Sequence, residues 1–284
     1  MSLPAPTLPR CYRHPEREAG RSCTRCARPC CSQCLTQAPV GSLCPECLRE
    51  GRPDTRTRLR WWNARQPALL TYAIIVANVA IYIWTAIADR TIIRCGSAGV
   101  GPRGQCDLGL AKVFLAEDGQ WYRLITAGFL HFSILHVAMN MLLLFQLGKL
   151  IEPPLGRVRF GLIYFASLLA GSAGALLLSP NSLTGGASGA VFGLMAATVV
   201  ALHQRGVNPL QSGIGVVFLL NIMLTFTISG ISIGGHVGGA IGGAICALAM
   251  LAPHGTRIPT WVTYALPVAV GVASVLVSVA VVSA

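Results

Sequence analysis

Charge is what this chain has least of. Asp and Glu number 10, and charged residues together make up 11% of its 284 positions. A soluble domain is about a quarter charged, so an ordinary water-wetted globule is excluded. Carboxylates are absent altogether from the apolar runs described below. That absence excludes chemistry built on paired acids in a membrane interior, and it speaks against a transporter, whose ion sites need such groups. No apolar run precedes Ala68, so a cleavable signal peptide is not expected. The first span is expected to insert the chain with its N-terminus in the cytosol.

Hydrophobic residues make up 53% of the chain. They fall into seven runs of membrane-spanning length, at about 68–88, 131–148, 159–178, 186–203, 209–228, 233–252 and 262–283. The formal charge is +12, with Arg49, Arg52, Arg56, Arg58, Arg60 and Arg65 gathered before the first run. Nucleic-acid binding is one reading of such a tract. Membrane topology is the plainer one, because Trp61 and Trp62 close the tract at an expected interface, so lipid rather than nucleic acid is the expected partner. A cytosolic N-terminus puts Lys149, Arg157, Arg159, Arg205 and Arg257 inside. Loops 179–185 and 229–232, on the other side, carry no Lys or Arg. The C-terminus then lies outside. The Ala-, Gly- and Arg-rich composition suits a bacterial plasma membrane protein.

Eight cysteines precede residue 50. The pairs are Cys11-x2-His14, Cys23-x2-Cys26, Cys31-x2-Cys34 and Cys44-x2-Cys47, with Cys30 in surplus beside Cys31. Four knuckles of this kind suit two tetrahedral zinc ions. Metal binding would then supply the folding energy that so short a segment cannot draw from an apolar core. Which pairs share an ion is not legible from spacing. The organisation is a zinc-binding domain at 1–48, a basic linker at 49–66 and a membrane domain at 67–284. The head resembles a B-box-like zinc finger, and the resemblance implies cross-bracing of the first pair with the third and the second with the fourth. A B-box commonly closes with histidines where this chain has Cys44 and Cys47. Such a head has no open metal position for chemistry, so a cytosolic protein partner is its expected function.

Polar residues inside the spans mark the chemistry. His136 and Asn140 share one face of the second span. Ser188 stands in Gly185-Gly186-Ala187-Ser188-Gly189 at the head of the fourth, and His236 in Gly234-Gly235-His236-Val237-Gly238-Gly239 at the head of the sixth. The stripes Gly189–Gly193 and Gly235–Gly239–Gly243 would let those two helices approach closely. Neutral His236 would then take the proton of Ser188 as it attacks a carbonyl. Asn140, His136 and the Ser188 backbone N–H are the expected oxyanion donors. No acid is placed to orient His236, so the site is expected to be a dyad, with Phe192 packed on the imidazole.

These segments resemble the rhomboid family of intramembrane proteases. His131-Phe132-Ser133-Ile134-Leu135-His136-Val137-Ala138-Met139-Asn140 is similar to its second-span motif, Gly186-Ala187-Ser188-Gly189 to its GxSG motif, and His236-x2-Gly239-x3-Gly243 to its sixth-span motif. Trp121-Tyr122-Arg123 is similar to the WR motif of its first loop, and Glu152 with Gly156 and Arg159 to the turn that follows the second span. The resemblance implies an all-α rhomboid-like bundle of seven transmembrane helices, of six-plus-one type. It implies a Ser188/His236 dyad with His136 and Asn140 in the oxyanion hole, no catalytic cofactor, and cleavage of single-span membrane proteins near the outer end of the span. The alternative is a proteolytically silent relative that binds or chaperones clients. Arg123 is expected to tie down the first loop through backbone carbonyls or to anchor it among head groups, Glu152 to pair with Arg157 or Arg159, Cys95 to form a disulfide with Cys106 (two free cysteines being the alternative), and Cys246 to be a small core residue. His131, His203 and His254 are assigned no chemistry.

Overall fold

The structure, a computed structural model, describes residues 8–55, 57–58, 68–87, 92–94, 100–228, 230–252 and 255–284. It divides into two compact units, Met1–Gln66 and Pro67–Ala284. Trp61 and Trp62, Arg56, Arg60 and Arg65 of the basic tract, Cys95 and His254 lie outside the described residues.

The first unit has almost no apolar interior. Strands β1 (Arg21–Ser22) and β2 (Pro29–Cys30) form one antiparallel hairpin, and β3 (Thr36–Gln37) and β4 (Ser42–Leu43) another. Helix α1 (Pro45–Glu50) follows. Its buried cluster consists of Ala19 and seven cysteines. A core made of sulfur cannot supply much hydrophobic stabilisation, so the unit depends on what the sulfurs bind.

The second unit is a helical bundle. Its long helices are α2 (Leu69–Ile87), α6 (Ile134–Leu155), α7 (Arg157–Leu178), α8 (Ser188–Gln204), α9 (Ile214–Thr227), α10 (Ile233–Met250) and α11 (Val262–Ser283). The segment between α2 and α6 holds a short hairpin, β5 (Ile92–Arg94) with β6 (Val100–Pro102), and the short helices α3 (Arg103–Leu108), α4 (Lys112–Ala116) and α5 (Arg123–Thr126). Among the described residues five helices are long and apolar enough to cross a membrane, whereas α8 and α9 are shorter. The shortfall in α8 has a reason in its packing. Residues Ala190 to Thr198 are buried without a break, and a helix enclosed by protein need not match the lipid thickness. Helix α9 starts later than position 209 because a turn ending at left-handed Gly213 precedes it.

Helix α10 is held on two faces by backbone contact. A Cβ on Gly239 would lie 2.0 Å from the Gly189 carbonyl oxygen, and one on Gly243 2.1 Å from that of Gly193. This is the stripe expected from the sequence. A second stripe, about 100° around the helix, faces α7: a Cβ on Gly234 would lie 2.0 Å from the Gly174 oxygen, and one on Gly238 2.4 Å from that of Ala170. At these four positions there is no room for a side chain on α10.

The second span differs from its expected bounds at both ends. Ser133 caps α6, its hydroxyl accepting the His136 N–H at 3.2 Å, so the helix begins after His131. At the other end α6 runs past 148 and through Pro153 and Pro154. Glu152 is thereby carried under the start of α2. The expected pairing with Arg157 or Arg159 is replaced by a cap: its carboxylate accepts the N–H groups of Leu70 (2.8 Å) and Thr71 (2.7 Å) and the Thr71 hydroxyl (2.6 Å). Those N–H groups have no partner within their own helix, and an anion there also meets the positive end of its dipole.

The first loop is docked on the bundle. Arg123 is buried. One guanidinium nitrogen donates to the carbonyls of Cys106 (2.5 Å) and Gly109 (2.7 Å), Nε donates to Gln120 (2.6 Å), and the cation lies 3.9 Å from the Phe114 ring centre. Leu110 and Thr184 exchange backbone hydrogen bonds of 2.8 Å, tying the loop to the α7–α8 connection. Cys106 is buried and disulfide-bonded. Cys246 is fully buried in the main core.

Two substitutions test these contacts. Gly239→Ala forces backbone apart from backbone and is expected to cost about 1–3 kcal/mol, read as a lower unfolding midpoint in detergent micelles. Glu152→Ala leaves the start of α2 unpaired and is expected to cost about 2–3 kcal/mol by the same measurement; an unchanged midpoint for either would contradict the packing described.

Candidate active site

Three helix starts meet at one cavity. Helix α8 begins at Ser188, preceded by Gly186 at φ +133°, a backbone conformation that side chains rarely adopt. The Gly186 N–H donates to the Ala127 carbonyl at 2.8 Å, which pins this approach to the first loop. His136 lies in the first turn of α6, and His236 in the first turn of α10, whose cap is the Ser232 hydroxyl accepting from Gly235 at 3.1 Å. The cavity measures about 910 Å³ and is lined by His136, Asn140, Ser188, Phe192, Thr225 and His236 among others.

Within it the polar groups have defined neighbours. A Cβ on Gly186 would lie 2.8 Å from His136 Nε2 and 3.5 Å from Ser188 Oγ, so the missing side chain leaves the space on which both converge. Asn140 uses one amide N–H on the His136 carbonyl at 2.9 Å, leaving the other for a ligand. Ser188 opens α8, and a first-turn N–H has no intrahelical partner. Phe192, one turn on, stacks on His236 with ring centres 4.0 Å apart and planes at 18°.

Two neighbours were not anticipated. The His236 imidazole makes its hydrogen bond to Thr225 of α9, Nδ1 to Oγ1 at 2.7 Å, rather than to Ser188. The signal available in sequence was a polar Asn221-x3-Thr225 face on an apolar helix, and nothing in the spacing tied it to His236. His131 is also at the site. It is almost fully buried, its ring meets His136 edge-on at 4.9 Å, and neither of its nitrogens has a hydrogen-bond partner among the described residues.

The first unit holds two further clusters of chemistry-bearing groups. Cys11, His14, Cys31 and Cys34 form one and Cys23, Cys26, Cys44 and Cys47 the other, with the ligand atoms of each within 4.8 Å of one another. The first knuckle is thus grouped with the third and the second with the fourth. Cys30 belongs to neither group; its sulfur points to the Arg28 carbonyl at 3.2 Å. The Cys44 backbone N–H, 3.3 Å from the sulfur, pulls the Cys23 thiol down to about 6, and His14 does the same for Cys31. Burial, and then the Cys31 sulfur, push Cys34 up to about 12. Sulfurs this close cannot all ionise unless a cation lies between them. The donor set, soft and tetrahedral in number, fits zinc.

Comparison with known proteins places the chain. The Rhomboid domain family matches residues 118–253, which include His136, Asn140, Ser188 and His236. Rhomboid-like protease 1 of Toxoplasma gondii is 31% identical over 211 residues, 70% of this chain and 69% of that protein. Rhomboid protease GluP of Bacillus subtilis (strain 168) is 39% identical over 142 residues, 49% of this chain but 28% of its own length. RHOMBOID-like protein 6, mitochondrial, of Arabidopsis thaliana is 30% identical over 179 residues, 53% of this chain and 57% of its own. The chain therefore spans little more than a quarter of GluP and just over half of the plant protein. On the ordered bundle, the converging polar groups and these matches, the chain belongs to the rhomboid family.

Proposed function

We propose that this protein is an intramembrane serine endopeptidase, cleaving membrane proteins of a single span within or next to that span. The observation that carries this reading is the convergence of Ser188, His236, His136 and Asn140 on one cavity at the starts of three helices. Ser188 Oγ attacks the carbonyl carbon while His236 Nε2 takes its proton; His236 then returns that proton to the leaving amine. The oxyanion meets the Ser188 N–H, the free amide N–H of Asn140 and the His136 ring. Phe192 keeps the imidazole in its plane by stacking on it. The cavity supplies the water that hydrolysis needs in a lipid surrounding. A client span must unwind locally to present its carbonyl, because a helical peptide bond is hydrogen-bonded within its own helix.

The two cysteine and histidine clusters are each assigned one structural zinc ion, the head being a cross-braced module of B-box type. The charge asymmetry of the loops supports a cytosolic head and N-terminus and a C-terminus outside, and the composition supports a bacterial cell. Its two sites are closed by protein ligands, so its role is to hold a cytosolic protein partner. Cys106 is assigned to a disulfide with Cys95.

Cleavage of a panel of single-span reporters in membranes tests the first reading. Ser188→Ala and His236→Ala are each expected to abolish it, a loss of at least about 10³-fold, and His136→Ala or Asn140→Ala to cost about 10²-fold. Retained cleavage by Ser188→Ala overturns the dyad. Metal analysis of the purified full chain tests the second: one zinc per cluster is expected, with Cys34→Ser and Cys47→Ser each losing one. A chain that carries no zinc as purified and takes none up after reduction overturns the assignment.

A further inference from the structure

Thr225 is the one side chain on α9 that is deeply buried; the other buried position of that helix is Gly215. Its hydroxyl carries two contacts of 2.7 Å, one to the carbonyl of Asn221 and one to His236 Nδ1. A hydroxyl has one hydrogen to give. Asn221 lies four residues earlier on the same helix, and a carbonyl oxygen accepts but never donates, so that contact consumes the proton. The hydroxyl oxygen is then left as an acceptor towards His236, and Nδ1 must carry the hydrogen between them. A neutral imidazole with hydrogen on Nδ1 has its lone pair on Nε2.

We infer that Thr225 is the positioning residue of the site, its hydroxyl accepting from His236 Nδ1–H and so holding the imidazole in the tautomer whose Nε2 can take the proton of Ser188. The inference rests on the protease reading, to which it adds a third member. Two restraints act at right angles: Phe192 fixes the plane of the ring by stacking, and Thr225 fixes its rotation within that plane. The same contact serves the charged intermediate. When Nε2 has taken the proton, Nδ1–H still donates to Thr225, and Thr225 still donates to Asn221, so no donor or acceptor is stranded. Thr225 does by neutral hydrogen bonding what a carboxylate does in a charged triad. Nothing in the chain of contacts needs an acid, and Glu152, the acid that α6 carries, is used at the start of α2.

The test uses the full chain with two variants and three readouts. Thr225→Val keeps the shape and removes the acceptor; Thr225→Ser keeps the acceptor. For Thr225→Val, kcat on a reporter and the rate of Ser188 labelling by a fluorophosphonate are both expected to fall about 10- to 100-fold. KM stays within about twofold, because the contact serves the proton transfer and not client binding. Thr225→Ser is expected to recover both rates to within about threefold. The third readout needs no activity: 15N-histidine spectra, with His236→Ala identifying the signal, should show hydrogen on Nδ1 in the unmodified chain and a mixture of tautomers in Thr225→Val. Wild-type labelling by Thr225→Val, an equal loss in Thr225→Ser, a loss confined to KM, or hydrogen on Nε2 in the unmodified chain would each overturn the inference. An unmodified chain that neither cleaves nor labels, yet keeps hydrogen on Nδ1, would sink the protease reading and leave the Thr225 contact standing.

Discussion

Everything at the candidate site depends on how closely α10 lies against α7 and α8. Ordinary helix pairs are spaced by side chains at 8–10 Å between axes. Here the four contacts at Gly234, Gly238, Gly239 and Gly243 put carbonyl oxygens where a Cβ would be. Lipid tails are as apolar as leucine, so burying apolar area between these helices gains little. Shape-matched backbone contact gains dispersion and weak Cα–H···O bonds instead. The consequence is positional. Ser188 starts α8 and His236 lies in the first turn of α10, so the spacing of these two helices governs how far apart the two side chains stand in the cavity.

The few charges in the membrane unit show a second use of scarcity. Glu152 and Arg123 are both buried, and neither is spent on an ion pair with the other sign. Glu152 closes the exposed N–H groups at the start of α2, and Arg123 closes carbonyls that the short helices of the first loop leave open. Backbone groups without partners are costly where water is excluded. A charged side chain makes stronger hydrogen bonds than a neutral one, so one residue can hold several backbone groups and anchor a whole segment. The first loop, fixed in this way, supplies the Ala127 carbonyl that holds Gly186, and Gly186 sets the approach to Ser188.

How much of this could be read beforehand follows from the range of each interaction. The bundle was legible because span length is a local property of composition, and the stripe from Gly235 to Gly243 because its spacing is the helical repeat itself. Arg123 was legible as a carbonyl binder, since a lone cation at an interface has few other partners. Glu152 was misjudged because its partners lie some eighty residues away, at a helix start that no local pattern links to it. The start of α8 was placed two residues early, because the glycine before Ala187 reads as part of the apolar run, whereas Gly186 stands at positive φ. The grouping of the knuckles, first with third and second with fourth, is likewise a fact of topology that spacing alone leaves open. Thr225 stayed invisible because a threonine in an apolar helix is ordinarily satisfied by its own backbone, and here it is satisfied that way and still has an oxygen to spare.

On the protease reading, that spare oxygen explains how a base is oriented in a chain so poor in acids. A carboxylate beside His236 would stabilise the imidazolium more strongly than a hydroxyl does. It would also have to be kept ionised among apolar helices, at a desolvation cost of several kcal/mol that only good pairing offsets. Beside a neutral imidazole that carboxylate would stand unpaired. A hydroxyl accepts the Nδ1–H in both states and never carries a charge that must be buried. The exchange is a weaker pull on the proton for a site that is stable while it waits. On the protease reading, a modest, always-formed hydrogen bond is the way to keep the base correctly turned without a buried charge.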